Sequence, residues 1–334
     1  MSFSIEVDGI IREFAFSAPI GWERWVEANS GGLPYIIALH GAGQPPTEFI
    51  TDWPFYANVD GNRNLSDRYF TFYPFASTVE TGATPRRAWN TGWSNANLAD
   101  VDDIKFIRLM RSKVEDFLTQ RLQTVGIPFA PFDENRQYLF GYSAGGMLAH
   151  RISHFDTNRY AALWCQSAAF GGRYHFSLGS PVSWPPVSSL SDDRAHSFFH
   201  HHGGGDMTVR PTGSATDPPQ PSPDSRAKYI NPGGLASNQA DRYQRADYPP
   251  LAGIEAYKTH NNTTVLTTLS GQPDRNGGNT STHQQWRRTG GATNPIVEYY
   301  LDPTMDHTNF PSSPNRYFDA ADVWAWFKAH PRVP

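Results

Sequence analysis

Residues 138–150, YLFGYSAGGMLAH, pass from an apolar run through a serine flanked by glycines into a helical pattern. A chain that turns from strand to helix in so few residues brings two backbones together, and only small side chains fit between them. Gly141 and Gly145 stand two positions either side of Ser143, and Gly146 follows where helix and strand must pack closely. A turn that merely needs small residues would match the same five positions, so the flanks carry the weight. An apolar run precedes and a helical run follows, which predicts a strained strand–turn–helix junction that lifts the Ser143 hydroxyl into solvent.

The rest of the chain supplies a sheet for that junction. Short apolar runs recur at 34–41, 68–75, 137–141, 160–166, 196–203 and 295–301, bounded by Gly, Pro or polar residues. Continuous apolar runs suit strands buried on both faces. Helical patterns lie between them. The clearest spans 99–122, with Ile107, Met110, Val114, Phe117 and Leu118 at helical spacing and Asp100, Asp102 and Asp103 near its start, where acids suit the helix dipole. Others follow Ser143 and cover 318–330. Alternation of this kind predicts an α/β chain with a mostly parallel sheet and helices on both faces. No repeat or linker divides it, so residues 1–334 read as one catalytic-size domain. Residues 207–250, rich in Pro, Ser, Gly and Asp, read as a long loop or lid insertion, and 271–293 as a shorter loop.

Bulk properties narrow the partners. The formal charge of −4 carries no polyelectrolyte signature, and no Lys/Arg run points to nucleic acid. The one cysteine, Cys165, excludes an internal disulfide and reads as a buried small hydrophobe within YAALWCQSA. No apolar run is long enough to span a bilayer. MSFSIEVDGIIREF alternates like a strand and lacks the regions of a signal peptide, so the numbered chain reads as cytoplasmic; a secreted or periplasmic chain whose leader had been removed would read the same. Oligomeric state is left open, a homo-oligomer included.

A serine alone is a poor nucleophile and needs a base and an orienting acid. FFHHHGGGDMTV is an apolar strand ending in glycines and then Asp206, and IVEYYLDPTMDHTNFP is a strand followed by a polar loop carrying His307. In this reading His307 takes the Ser143 proton and Asp206 holds the imidazole tautomer. Asp302 and Asp306 lie nearer His307 in sequence, but close neighbours rarely point the right way. The N–H of Ala144, at the helix start, and that of Ala42, after the strand YIIALHG, are the candidate oxyanion hole. His40 is expected to brace the oxyanion loop. His200, His201 and His202 alternate across a strand, so at most two share a face, and core and turn packing is their expected role. No cofactor and no metal is called for. Trp53, Trp89, Trp93 and Trp286 lie in loop-like stretches and are candidate substrate-binding rings if exposed.

The order Ser, Asp, His is that of α/β-hydrolases. With IIALHGAGQ, FTFYPF, AWN, DVDDIKFIRLM, YLFGYSAGGMLAHRI, YAALWCQSA, HHHGGGDMTV and VEYYLDPTMDHTNFP in order, the chain resembles the extracellular-type polyhydroxybutyrate depolymerase and feruloyl/acetylxylan esterase family. The resemblance covers about residues 5–330. It implies an α/β-hydrolase fold, with Ser143 as nucleophile, Asp206 in the family's HG-x-x-D-x-x-V element and His307 in its histidine element. That last element departs here, reading MDHTNFP where the family has Gly before His and Trp after it, and Ala42 stands where many depolymerases carry cysteine. The expectation is a serine hydrolase of carboxylic esters, polymeric or small. An amide, peptide or polyamide hydrolase using the same triad is the alternative, and a binding protein on a hydrolase fold is a third reading.

Overall fold

The computed structural model describes residues 1–56, 68–79, 86–91, 101–155, 159–169, 172–176, 182–183, 196–206, 209, 243–247, 250–269, 281–289, 295–303, 305–307 and 318–332. The first strands, β1 (Ser2–Val7) and β2 (Ile10–Ser17), form a hairpin whose turn residues Asp8 and Gly9 both take positive φ, 52° and 79°. Mirror-image turns of this kind match the natural twist of paired strands. Next come α1 (Trp22–Ala28), β3 (Leu33–Leu39), α2 (Pro46–Asp52), β4 (Phe70–Pro74), β5 (Ser77–Val79), β6 (Arg86–Ala88) and α3 (Asp103–Thr124). The junction follows as β7 (Phe132–Tyr142) and α4 (Ala144–Phe155). Beyond it lie β8 (Ala162–Gln166), β9 (Gly172–Phe176), β10 (Val182–Ser183), β11 (Ser197–Gly203), β12 (Tyr243–Asp247) and α5 (Pro250–Asn261). The chain closes with β13 (Val265–Leu269), β14 (Thr282–Arg287), β15 (Val297–Asp302) and α6 (Ala320–Ala329).

Ten strands make one sheet in the order β1-β2-β4-β3-β7-β8-β11-β15-β14-β13. Its centre, from β4 through β15, is parallel, and both flanks are antiparallel. Alternate side chains of the central strands enter two separate cores. Tyr35, Ile37 and Leu39 of β3, Leu139 of β7 and Leu163 and Cys165 of β8 pack with α3, α4 and α5. Ile36, Ala38, Tyr138, Phe140 and Trp164 pack on the other face with α2 and α6. This two-sided burial is why those runs read as continuously apolar. Burial also pushes the Cys165 thiol far above its ordinary pKa, so the residue is inert packing.

The strand order reverses beside β3, which lies between β4 and β7. In open parallel sheets a crevice forms at such a reversal, outside the carboxyl ends of the strands. Layering and strand order make this the α/β-hydrolase fold. Two sequence expectations are corrected. Phe117 is 44% exposed, while Ile107, Met110, Val114 and Leu118 are buried. Its ring lies against Phe3 at the edge of the helix–sheet contact, 6.0 Å between centroids, because the apolar stripe of α3 is narrower than its spacing implied. Part of the 271–293 stretch is strand β14, which joins β13 to β15 and buries Gln285 and Trp286. Most of 207–250, the expected lid, lies outside the described residues; within it, β12 pairs with β9.

Candidate active site

Every element of the site leaves the carboxyl end of a parallel strand. Ser143 follows β7 with φ 51°, a left-handed backbone that only crowding from its surroundings sustains in a residue with a Cβ. The crowding is visible at the glycines. A Cβ on Gly145 would stand 2.1 Å from the Leu39 carbonyl oxygen and one on Gly141 would stand 2.4 Å from the Gly145 carbonyl oxygen. The elbow backbone is therefore pressed between β3 and α4. Ser143 N–H donates to the Gln166 carbonyl over 2.9 Å, and the Ser143 carbonyl accepts from Met147 N–H, which starts α4.

Ser143 Oγ lies 2.9 Å from His307 Nε2, and His307 Nδ1 lies 2.8 Å from Asp206 Oδ2. The residues predicted at these positions are thus brought together in one line. Asp206 is buried and its second oxygen, Oδ1, accepts from Val209 N–H over 2.8 Å. Glycines make the meeting of the two loops possible. A Cβ on Gly203 would stand 2.2 Å from the Met305 carbonyl oxygen, while Gly204 and Gly205 donate to the carbonyls of Asp302 and Met305. Tyr142 donates from its hydroxyl to the His307 carbonyl, and its ring lies 5.6 Å from the His307 ring. Burial, with the nearby Asp206, Asp306 and Asp52 carboxylates, raises the Tyr142 phenol, so it stays a donor. Asp302 is buried beneath the turn and Asp306 is exposed; among the described residues, the carboxylate on His307 Nδ1 is that of Asp206.

Beside the serine runs the loop after β3. A Cβ on Gly41 would come 3.5 Å from the Ser143 Cβ, so this backbone abuts the elbow. The loop is tied down at nearly every position. Gly41 N–H donates to Gln44 Oε1 (3.2 Å), Gly43 N–H donates to the Arg87 carbonyl (2.7 Å), and Gln44 Nε2 donates to Asp52 (3.0 Å). His40 accepts at Nε2 from Ala76 N–H (3.1 Å), so its proton is on Nδ1, which donates to the Gly41 carbonyl (2.7 Å). Burial lowers the His40 pKa to about 4, so the ring is a neutral brace at pH 7. Ala42 is exposed at the loop tip and Ala144 opens α4. Among the described residues, neither backbone N–H donates to a protein acceptor.

The tryptophan expectations change. Trp53, Trp89 and Trp286 are 0%, 1% and 6% exposed, so none presents a free ring. Trp53 packs on Phe140, and Trp286 lies beneath Lys258. Trp89 instead braces the loop after β3, since its indole N–H donates to the His40 carbonyl over 2.8 Å and its ring lies on His40. Trp93 lies outside the described residues. His201 points away from His200 and His202, to the face carrying Tyr300 and Phe318. Among the described residues no group of three or more His, Cys, Asp or Glu is placed to hold a metal ion. Sequence reasoning missed Tyr142, Gln44 and the bracing use of Trp89. Only the adjacency of Tyr142 to Ser143 offered a signal.

No protein-family model and no curated protein matches the chain. Solved structures do resemble it. An acetyl xylan esterase from Aspergillus awamori is 10% identical, over 98% of this chain and 99% of that one, with a TM-score of 0.49. The native form of a protein named pOPH is 13% identical, over 99% and 87%, with a TM-score of 0.47. A Bacillus cereus carboxylesterase is 14% identical, over 60% and 74%, with a TM-score of 0.34. At such identities the likeness is one of fold.

Proposed function

We propose that the chain is a serine hydrolase that cleaves carboxylic esters through an acyl-enzyme. The observation that carries this reading is the unbroken line from Ser143 Oγ through His307 to Asp206, with contacts of 2.9 Å and 2.8 Å. His307 Nδ1 must hold a proton to bond the Asp206 carboxylate, which leaves Nε2 as the acceptor of the serine proton. Ser143 Oγ attacks the ester carbonyl carbon while its proton passes to Nε2. The carbonyl oxygen becomes an oxyanion between the N–H groups of Ala42 and Ala144, two donors fixed before the reaction begins. His307 then protonates the departing alcohol, and water repeats the sequence on the acyl-enzyme to release the acid. Choice of an ester rests on the sequence resemblance to polyester depolymerases and feruloyl and acetylxylan esterases.

The test is a panel of short polyesters, aryl and acetyl esters and matched amides, run against the wild type and Ser143→Ala. The wild type is expected to turn over an ester faster than its matched amide and to be labelled at Ser143 by a fluorophosphonate. Ser143→Ala is expected to lose roughly 10⁶ in kcat. Near-normal turnover by that variant ends the reading, and preference for an amide moves the chain to amide hydrolysis with the same residues.

A further inference from the structure

Behind the acid lies a buried polar chain that the proposed mechanism does not use. His200 and His202 leave β11 on one face, and His200 Nε2 lies 2.9 Å from His202 Nδ1. The other nitrogen of His202, Nε2, lies 2.7 Å from the Val209 carbonyl oxygen and 3.5 Å from Asp206 Oδ2. A carbonyl oxygen only accepts, so His202 Nε2 carries a proton and donates it there. In neutral His202, Nδ1 is then the acceptor of a proton held by His200 Nε2. Val209 closes the ring by donating its N–H to Asp206 Oδ1. The named positions of the H-G-x-x-D-x-x-V element, His202, Asp206 and Val209, are thus bonded to one another.

We propose that His202 is a positioning residue for the acid, holding Val209 so that Asp206 keeps one oxygen on Val209 and the other on His307. The inference rests on reading Ser143, His307 and Asp206 as a catalytic triad. Among the described residues His202 is the donor to the Val209 carbonyl; without it that buried group loses this bond, and Val209 shifts to relieve the cost. Val209 N–H then leaves Asp206, the carboxylate swings off His307 Nδ1, and the imidazolium formed during attack loses its counter-charge. Asp206 is faced by His202 from β11, by His307 from the loop after β15 and by Tyr142 from the end of β7. His202 is faced by His200, which in turn neighbours His201, His150 of α4 and Tyr299 of β15. Burial and those imidazole neighbours hold His200 well below its ordinary pKa, so it brings no positive charge.

The experiment compares the full-length wild type with His202→Phe and His202→Gln. It measures the rate of fluorophosphonate labelling at Ser143 across pH, and kcat and KM for a p-nitrophenyl ester. His202→Phe is expected to label about tenfold more slowly or worse, with its acidic limb moved to lower pH because the imidazolium has lost its carboxylate. Its kcat falls while KM holds. His202→Gln, whose amide N–H reaches the Val209 carbonyl, recovers most of the rate and the limb. Wild-type labelling by His202→Phe overturns the proposal, as does an equal slowing at every pH or a limb displaced upward. Should the Phe variant not fold, His202→Asn replaces it, because its shorter amide stops short of Val209; equal rates for Asn and Gln then overturn the proposal. Wild type that labels but cleaves no ester removes only the ester reading. Wild type that does not label removes the triad, and this inference with it.

Discussion

The Ser143 side and the Asp206–His307 side of the candidate site meet across the 2.9 Å between Ser143 and His307, and they are held by different forces. Around Ser143 the constraint is steric. Backbone presses on backbone at Gly141 and Gly145, and the positive φ of the serine is its consequence. Around Asp206 and His307 the constraint is a set of directed bonds, Val209 N–H to Asp206, Tyr142 to the His307 carbonyl and His202 to the Val209 carbonyl, with glycines admitting the two loops to each other. The contrast teaches that position can be set by exclusion or by attraction. Excluded volume has no soft failure, whereas a lost hydrogen bond leaves the chain folded and the geometry wrong.

The largest effect should come from Gly145→Ala, whose methyl would sit 2.1 Å from the Leu39 carbonyl oxygen, backbone against backbone. Thermal unfolding followed by circular dichroism should show loss of the cooperative transition or a fall of well over ~3 kcal/mol, beyond ordinary overpacking. A native-like midpoint would break the steric half of the comparison. On the other side, Asp206→Asn should fold and melt within a few degrees of wild type, yet lose roughly 10⁴ in kcat through the wrong imidazole tautomer. If Asp206→Asn unfolds instead, the acid is a structural keystone and the contrast fails.

The smallest effect is a pH dependence of stability. Folded His40 has its pKa lowered to about 4 and His201 to about 3, in both cases chiefly by burial. An unfolded chain binds protons at its imidazoles near ~6.5, which the folded rings refuse. The unfolded state therefore holds more protons below that value, and stability falls as pH drops from about 6.5 toward 4 and 3. Denaturation midpoints at pH 7 and pH 4.5 measure this. His40→Asn should flatten part of the slope, and an unchanged slope would show that the ring is not kept neutral.

Much of this was legible in the sequence, for identifiable reasons. The runs that became β3, β7, β8 and β11 stood out because strands covered on both faces must be apolar throughout. Ser143, Asp206 and His307 stood out because each sits where a strand ends among glycines or polar residues. Strand β14 did not stand out: THQQWR has Trp286 as its one apolar residue, and its buried Gln285 is satisfied by Glu298 of β15, a partner supplied by the neighbouring strand. Trp53, Trp89 and Trp286 misled because a ring in an aperiodic stretch carries no sign of which way it faces. Trp89 in particular lies in the core and holds the loop after β3 through a bond to His40.

By itself, the order of residues determined the central buried strands, the main helices, the glycine-lined elbow and the identities of the three side chains, since these follow from local sterics and from which runs must escape water. Only the tertiary structure decided which groups hold those side chains in place. Tyr142 on the His307 carbonyl and Trp89 on His40 join residues far apart along the chain, whose spacing has no bearing on their contact. Hydrogen bonds of that kind exist only once the sheet has set the strand ends side by side, so no local pattern can announce them.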